Sequence, residues 1–186
     1  MRIIVGVSGA SGVEMSLTLL KALHHAGCEI FLVLSKAAGL TWSLETVTPI
    51  EELFRFADHV YEEDDMSAAI ASGSCVTDGM IVMPCSMKTL AGIVSGYAEN
   101  LLLRAADVCL KENRRLVLVP REMPLGQIHL RNMLSASELG CTIIPPMLTF
   151  YNGADSLQEQ IDHITGKVLL QFGITPENFR PWKGTE

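Results

Sequence analysis

The sequence predicts an α/β fold built on a mostly parallel sheet with helices covering both faces. Three observations carry this. Short apolar runs recur along the 186 residues, the runs are apolar throughout instead of alternating with polar residues, and amphipathic stretches separate them. A strand that is apolar on both sides has both faces buried, and that is the condition of a parallel strand inside a helical sandwich.

Each element follows in order. RIIVGV at 2–7 is a first strand; glycine-rich punctuation follows it, and then a helical pattern at 13–26 with Leu17, Leu20 and Leu23 on one face. EIFLVL at 29–34, MIVMP at 80–84, RRLVLVP at 114–120 and CTIIPP at 141–146 supply four more strands. Helical patterns lie near 50–57, 87–95, 99–112 and 127–139, and a long last helix covers 155–172. No repeat or linker divides the chain, so residues 1–186 are expected to form one domain, with a tail from about Gly173 that carries two prolines and Trp182.

Composition narrows the function. A hydrophobic content of 48% with 19% charged residues is globular, with enough apolar surplus to suggest a buried subunit interface. The formal charge of −7, from 21 acidic and 14 basic side chains, disfavours nucleic acid and anionic membranes as partners. The five cysteines form no CxxC pair and read as reduced thiols of a cytoplasmic protein. Neither a secretory leader nor a run of about 20 apolar residues that would span a bilayer is expected. The five histidines have no HxH or HExxH spacing, so no metal site is indicated.

In parallel sheets the ligand lies outside the C-terminal strand ends. That rule selects 6–12, 35–36, 84–89, 120–124 and 145–151. GVSGASG at 6–12 sits between a strand and a helix, where glycines allow close approach and free N–H groups meet an anion. It is not GxGxxG and no acidic ribose anchor follows the second strand, so a mononucleotide is preferred to a dinucleotide. The plain alternative is a tight turn with Ser11 as a helix cap.

PCSMKT at 84–89 ends one strand at Pro84 and opens a helix, where Ser86 and Thr89 offer hydroxyls and amides to a phosphate or simply cap the helix. Cys85 has no neighbouring histidine and reads as a buried thiol. Arg104 and Lys111 share a helix face and, with Arg114, Arg115 and Arg121, form a basic cluster in an acidic chain. Such clusters are usually solvated, but Arg121 and Glu122 follow a strand directly on a proline-stiffened loop, which suits anion binding beside acid–base work. Tyr151, at the end of PPMLTFY, is either a phosphate donor or a packing aromatic. Lys167 and Glu45 are ordinary surface residues on their own terms.

Together these segments carry a resemblance. SGASG (8–12), LSKAA (34–38), LET (44–46), ASGS (71–74), PCSMKTLAGI (84–93), RAADVCLKE (104–112), LVLVPREMPL (116–125), HLRNML (129–134) and PPMLTFY (145–151) closely resemble flavin prenyltransferases of the UbiX type, in order and over essentially the whole chain. The resemblance implies a three-layer flavodoxin-like or Rossmann-like fold in a homododecamer with sites at subunit contacts. It implies metal-independent transfer of a dimethylallyl group from dimethylallyl monophosphate to reduced FMN, the product serving a UbiD-type decarboxylase. Gly9, Ala10, Ser11, Ser35, Ser86, Met87, Lys88, Thr89 and Arg121 match the family's FMN contacts. Arg104, Lys111, Tyr151, Lys167 and Trp182 match residues around the prenyl phosphate, and Glu45 and Glu122 match the site's carboxylates, with Ser11 facing the reacting edge. Lys167 stands where the family usually has arginine, which keeps the charge and loses the bidentate fork. Two other readings are a non-catalytic FMN-binding accessory subunit, which only Lys167 encourages, and a cysteine-decarboxylating flavoprotein, whose PASANT-type segment is PCSMKT here. Direct decarboxylation of aromatic acids has no apparatus in the sequence apart from the flavin site.

Overall fold

Side-chain alternation decides the layers. In β1 (Arg2–Val7), Ile3, Val5 and Val7 enter one core while Ile4 enters another. The same split runs through β2 (Glu29–Leu34), β4 (Gly79–Cys85) and β5 (Arg115–Pro120), so the central sheet is apolar on both faces and each face needs a cover. Helices α1 (Glu14–His25) and α7 (Leu157–Leu169) close the first core, with α2 (Lys36–Glu45) and the single turn α3 (Glu51–Phe54). Helices α4 (Met87–Ser95), α5 (Leu101–Lys111) and α6 (Gln127–Glu138) lie over the second. The computed structural model describes residues 1–182 and 184, so the expected end of the domain and tail at Lys183, Thr185 and Glu186 lies outside the described residues.

With the edge strands β3 (His59–Glu62) and β6 (Thr142–Ile143), the sheet has the order β3-β2-β1-β4-β5-β6, and every pairing is parallel. The chain winds outward from β1 to β3 and then restarts at β4 on the other side of β1. The crevice of such a sheet opens at that reversal, between the ends of β1 and β4.

Four expectations needed correction. Residues 36–45, given no helix by the sequence, form one: Ser35 caps it, but only Ala38 and Trp42 are buried, so the apolar period is faint. HVYE is an exposed edge strand with too few apolar residues to announce itself. The last strand has two residues where six were expected, because Pro145 and Pro146 supply no N–H to continue the ladder. Pro84 does not stop its strand, which runs on to Cys85 with a register irregularity after Val82.

One helix is conspicuous for what it leaves uncovered. Of the twelve residues of α6 only Ala136 is buried, while Ile128, Leu130 and Leu134 are more than half exposed. Met123, Leu148 and Phe150 on the neighbouring strand-end loops are exposed as well. Apolar side chains left out on this scale mark a contact surface. Among the described residues no helix is long and apolar enough to cross a membrane.

Gly79 opens β4 at φ 153°, and a Cβ there would press on the Arg115 carbonyl of β5 and come within 2.9 Å of Phe172. Gly79→Ala is expected to lower unfolding stability by about 2 kcal/mol, read as a fall in the denaturant midpoint; an unchanged midpoint would mean the β4–β5 contact yields freely.

Candidate active site

Because all strands point one way, the turns after β1, β2, β4, β5 and β6 emerge at one edge of the sheet. The first two to meet are those of β1 and β4. Ser8, which is 1% exposed, donates its hydroxyl to the Pro84 carbonyl (2.9 Å) and accepts the N–H of Ser86 (2.7 Å). Its own N–H also reaches Pro84 O at 3.2 Å. Sequence reasoning missed Ser8 as a residue in its own right. The available signal was a serine directly after an all-apolar strand, where an alcohol must find partners.

Gly9 lets a third segment close in. A Cβ on it would lie 2.5 Å from the Ala37 Cβ, so a side chain would push away the start of α2. Ser35 caps α2 by accepting the Ala38 N–H (3.1 Å), and Ser86 caps α4 by accepting the Thr89 N–H (3.2 Å) while donating to Thr89 Oγ1 (3.0 Å). The two capped helix starts share one cavity of about 80 Å³, whose lining includes Gly9, Ser35, Ser86, Lys88, Thr89 and Glu63. Converging helix N-termini, hydroxyls and a bare glycine fit a phosphate monoester. Ala10 completes the β1 turn through its N–H to Ser8 O (2.8 Å), and Met87 is half-buried against the second core.

The carboxylate of Glu45 returns from the far end of α2 to the same turn. Its Oε2 accepts the Gly12 N–H at 2.8 Å. Burial pushes this carboxyl up, but the Ser11 hydroxyl, the Gly12 and Val13 N–H groups and the positive Arg121 together hold it below its ordinary value. Ser11 therefore serves Glu45 and does not cap α1, whose start at Val13 has no side-chain cap. Arg121 is anchored by its N–H to Cys85 O (3.1 Å), which ties the exit of β5 to that of β4. Glu122 is exposed, with Oε1 accepting the Met123 N–H (2.9 Å). Cys85 is fully buried and burial pushes its thiol far up, so it is no nucleophile.

A second cluster stands beside α7. Tyr151 meets Trp182 edge-on at 5.4 Å and His163 edge-on at 5.8 Å, while His163 stacks on Phe179 at 5.2 Å. His163 is buried with Nδ1 unpartnered among the described residues; burial and then the charge of Lys167, one turn on and exposed, hold its pKa down. A cavity of about 370 Å³ under the tail is larger than the strand-end one, but Glu159, Asp162 and Glu177 line it and its Arg180 already pairs with Glu159 at 2.9 Å. That lining repels a phosphate.

Neither Arg104 nor Lys111 lines the strand-end cavity. Arg104 Nε donates to Ala71 O (3.0 Å) and its Nη1 bonds Asp107 (2.6 Å). Lys111 ends α5 beside Gly73, paired with Glu112, just before β5 begins at the opposite edge of the sheet. The helix of 11 residues puts roughly 16 Å between its ends. Among the described residues, no group of three or more His, Cys, Asp or Glu side chains is arranged to hold a metal ion.

The flavoprotein family profile matches residues 1–169. A probable UbiX-like flavin prenyltransferase of Sedimentibacter hydroxybenzoicus is 59% identical over 187 aligned positions, covering 100% of this chain and 99% of that protein. The solved dodecameric FMN-dependent UbiX-like decarboxylase of Escherichia coli O157:H7 superposes with a TM-score of 0.96 at 49% identity, over 99% of this chain and 100% of that one. AnUbiX, solved in complex with FMN and dimethylallyl pyrophosphate, gives 0.97 at 46% identity, over 100% of this chain and 98% of that one.

Two outcomes follow from the geometry. Ser8→Ala leaves the Ser86 N–H and one Pro84 lone pair short of a partner, and is expected to cost about 1–3 kcal/mol in chemical denaturation. Glu45 has a depressed folded pKa, so the stability it lends is present above the ordinary carboxylate range and is lost as pH falls through its folded value. Glu45→Gln should therefore be less stable than the parent at neutral pH, with the gap closing in acid. A gap that widened in acid would contradict the assignment.

Proposed function

The chain belongs to the flavoprotein family and, within it, to the UbiX-like flavin prenyltransferases, and from that membership we propose how its residues divide the work. The reaction is transfer of a dimethylallyl group from dimethylallyl monophosphate to reduced FMN, giving prenylated FMN for a UbiD-type decarboxylase. Reduced FMN supplies the electron-rich N5 and C6 positions that receive the dimethylallyl carbons. The observation that carries the residue assignments is the meeting of Glu45, Ser11, Gly12 and Arg121 beside the phosphate-sized cavity of Ser35, Ser86 and Thr89.

Gly9, Ala10, Ser35, Ser86, Met87, Lys88 and Thr89 hold the flavin, its phosphate in the cavity between the two helix starts. Glu45 fixes the hydroxyl of Ser11 toward the reacting edge. When the allylic C–O bond breaks, the electron pair leaves with the phosphate, so fixed positive charge and hydroxyl donors stabilise the departing group. Tyr151 and Lys167 supply these, with Arg121 holding the flavin beside them and Trp182 closing the side and offering a ring face to positive charge on the dimethylallyl carbons. Joining C6 releases a proton, and the departing phosphate or Glu122 takes it as base or relay in this reading.

A second copy completes the site. Neither Arg104 nor Lys111 lines the cavity of its own chain, and the apolar face of α6 calls for a cover. Assembly as in the dodecameric Escherichia coli relative lets one chain offer Lys111 and Arg104 to the phosphate held by another. Residues 1–186 act as a single flavin-binding domain, and five free cysteines support a cytoplasmic setting.

The test is anaerobic incubation with reduced FMN and dimethylallyl monophosphate, followed by flavin mass; a gain of one dimethylallyl unit is expected, and unmodified flavin from folded protein would leave an accessory subunit. Glu122→Gln should keep the mass gain but slow appearance of the ring-closed absorbance spectrum. Mixing inactive Lys111→Ala and Tyr151→Phe chains under conditions that allow subunit exchange should restore part of the activity; no recovery in mixed oligomers would mean that Lys111 serves the site of its own chain.

A further inference from the structure

The cavity between α2 and α4 holds one group that a phosphate site does not call for, the carboxylate of Glu63. It is held in place from three sides. Its side chain accepts the Lys36 N–H (3.0 Å) at the start of α2 and the amide of Asn100 (3.0 Å), and its carbonyl accepts the Leu101 N–H (2.7 Å) that opens α5. Asn100 in turn caps α5 by accepting the Leu103 N–H at 3.0 Å. Glu63 is therefore a staple between two helix starts, with no freedom to swing away without breaking both side-chain bonds.

Its consequences for an anion are twofold. In the first turn of α2, Glu63 takes the Lys36 N–H and Ser35 takes that of Ala38, which leaves that of Ala37 for a ligand. The cations flanking the cavity are also engaged: Lys36 pairs with Asp64 at 2.9 Å, and Lys88 approaches Glu99 at 3.7 Å. A dianionic phosphate entering here meets a fixed like charge in a small space, and a like charge raises the free energy of the bound state.

We propose that Glu63 sets an upper limit on how tightly this chain holds the flavin phosphate, so that the modified flavin leaves. This rests on the assignment of the cavity to the phosphate of FMN, and it adds a reason for the carboxylate. A flavin that is substrate and product must dissociate in every turnover, and differences in affinity within one site appear mostly as differences in dissociation rate.

The experiment compares FMN and riboflavin binding to flavin-free parent, Glu63→Gln and Asn100→Ala proteins by fluorescence titration and stopped-flow release. Glu63→Gln keeps an acceptor for the Lys36 N–H and removes the charge; about tenfold tighter FMN binding with matching slower release is expected, with riboflavin unchanged. Asn100→Ala loosens the staple but keeps the charge and should not tighten FMN. Equal or weaker FMN binding by Glu63→Gln, in a parent that prefers FMN to riboflavin, overturns the role of Glu63 alone. Tightening by both variants would point to helix movement and also overturn it. A parent that binds FMN and riboflavin alike overturns the phosphate cavity itself.

Discussion

The hydroxyl of Ser8 is the bond on which the strand-end architecture depends. A sheet that reverses its winding between β1 and β4 leaves a gap at that point, and two glycine- and proline-containing turns must cross it without regular pairing. Ser8 donates to one side of the β4 turn and accepts from the next residue but one. That places Ser86 at the start of α4, and Ser86 then orders Thr89. Gly9, one residue on, admits the start of α2, and from the end of that helix Glu45 comes back to Gly12. Three separated segments are thus fixed relative to one another through backbone groups and the side chains of Ser8, Ser86 and Glu45.

Much of this was legible in the residues. Strands apolar on both sides gave the parallel sheet, and the parallel sheet selected the turns to inspect before any motif was recognised. What failed was local and has a physical cause. The helix at 36–45 buries only Ala38 and Trp42, so no apolar period marks it. The strand at 59–62 lies on an edge and is largely solvated, so it lacks the composition of its neighbours. Ser8 and Glu63 were missed because their importance lies in partners 76 and 27 residues away, a relation that spacing along the chain does not encode. Arg104 and Lys111 were picked out as one basic face, and they share a helix; that neither lines the cavity of its own chain is not written in their spacing.

The charges of the molecule are organised by pairing. An acidic protein that handles two phosphate-bearing molecules has to keep its carboxylates occupied, and most near the cleft are: Glu45 by backbone N–H groups, Glu63 by an amide and a helix start, Asp64 by Lys36. Arg121 acts on Glu45 from the exit of β5, pinned by its own N–H to the neighbouring strand. A backbone anchor sets where an arginine begins and leaves its fork free for the ligand.

The nearly unburied helix α6 has a consequence beyond assembly geometry. A chain that leaves such a face to a neighbour has coupled its solubility to its own abundance. Newly made chains at low concentration face water with Ile128, Leu130 and Leu134, and they compete between finding a sister chain and sticking to whatever apolar surface comes first. Dosage of this protein is then a threshold quantity: below the concentration at which such a face finds its cover, each chain is exposed to aggregation.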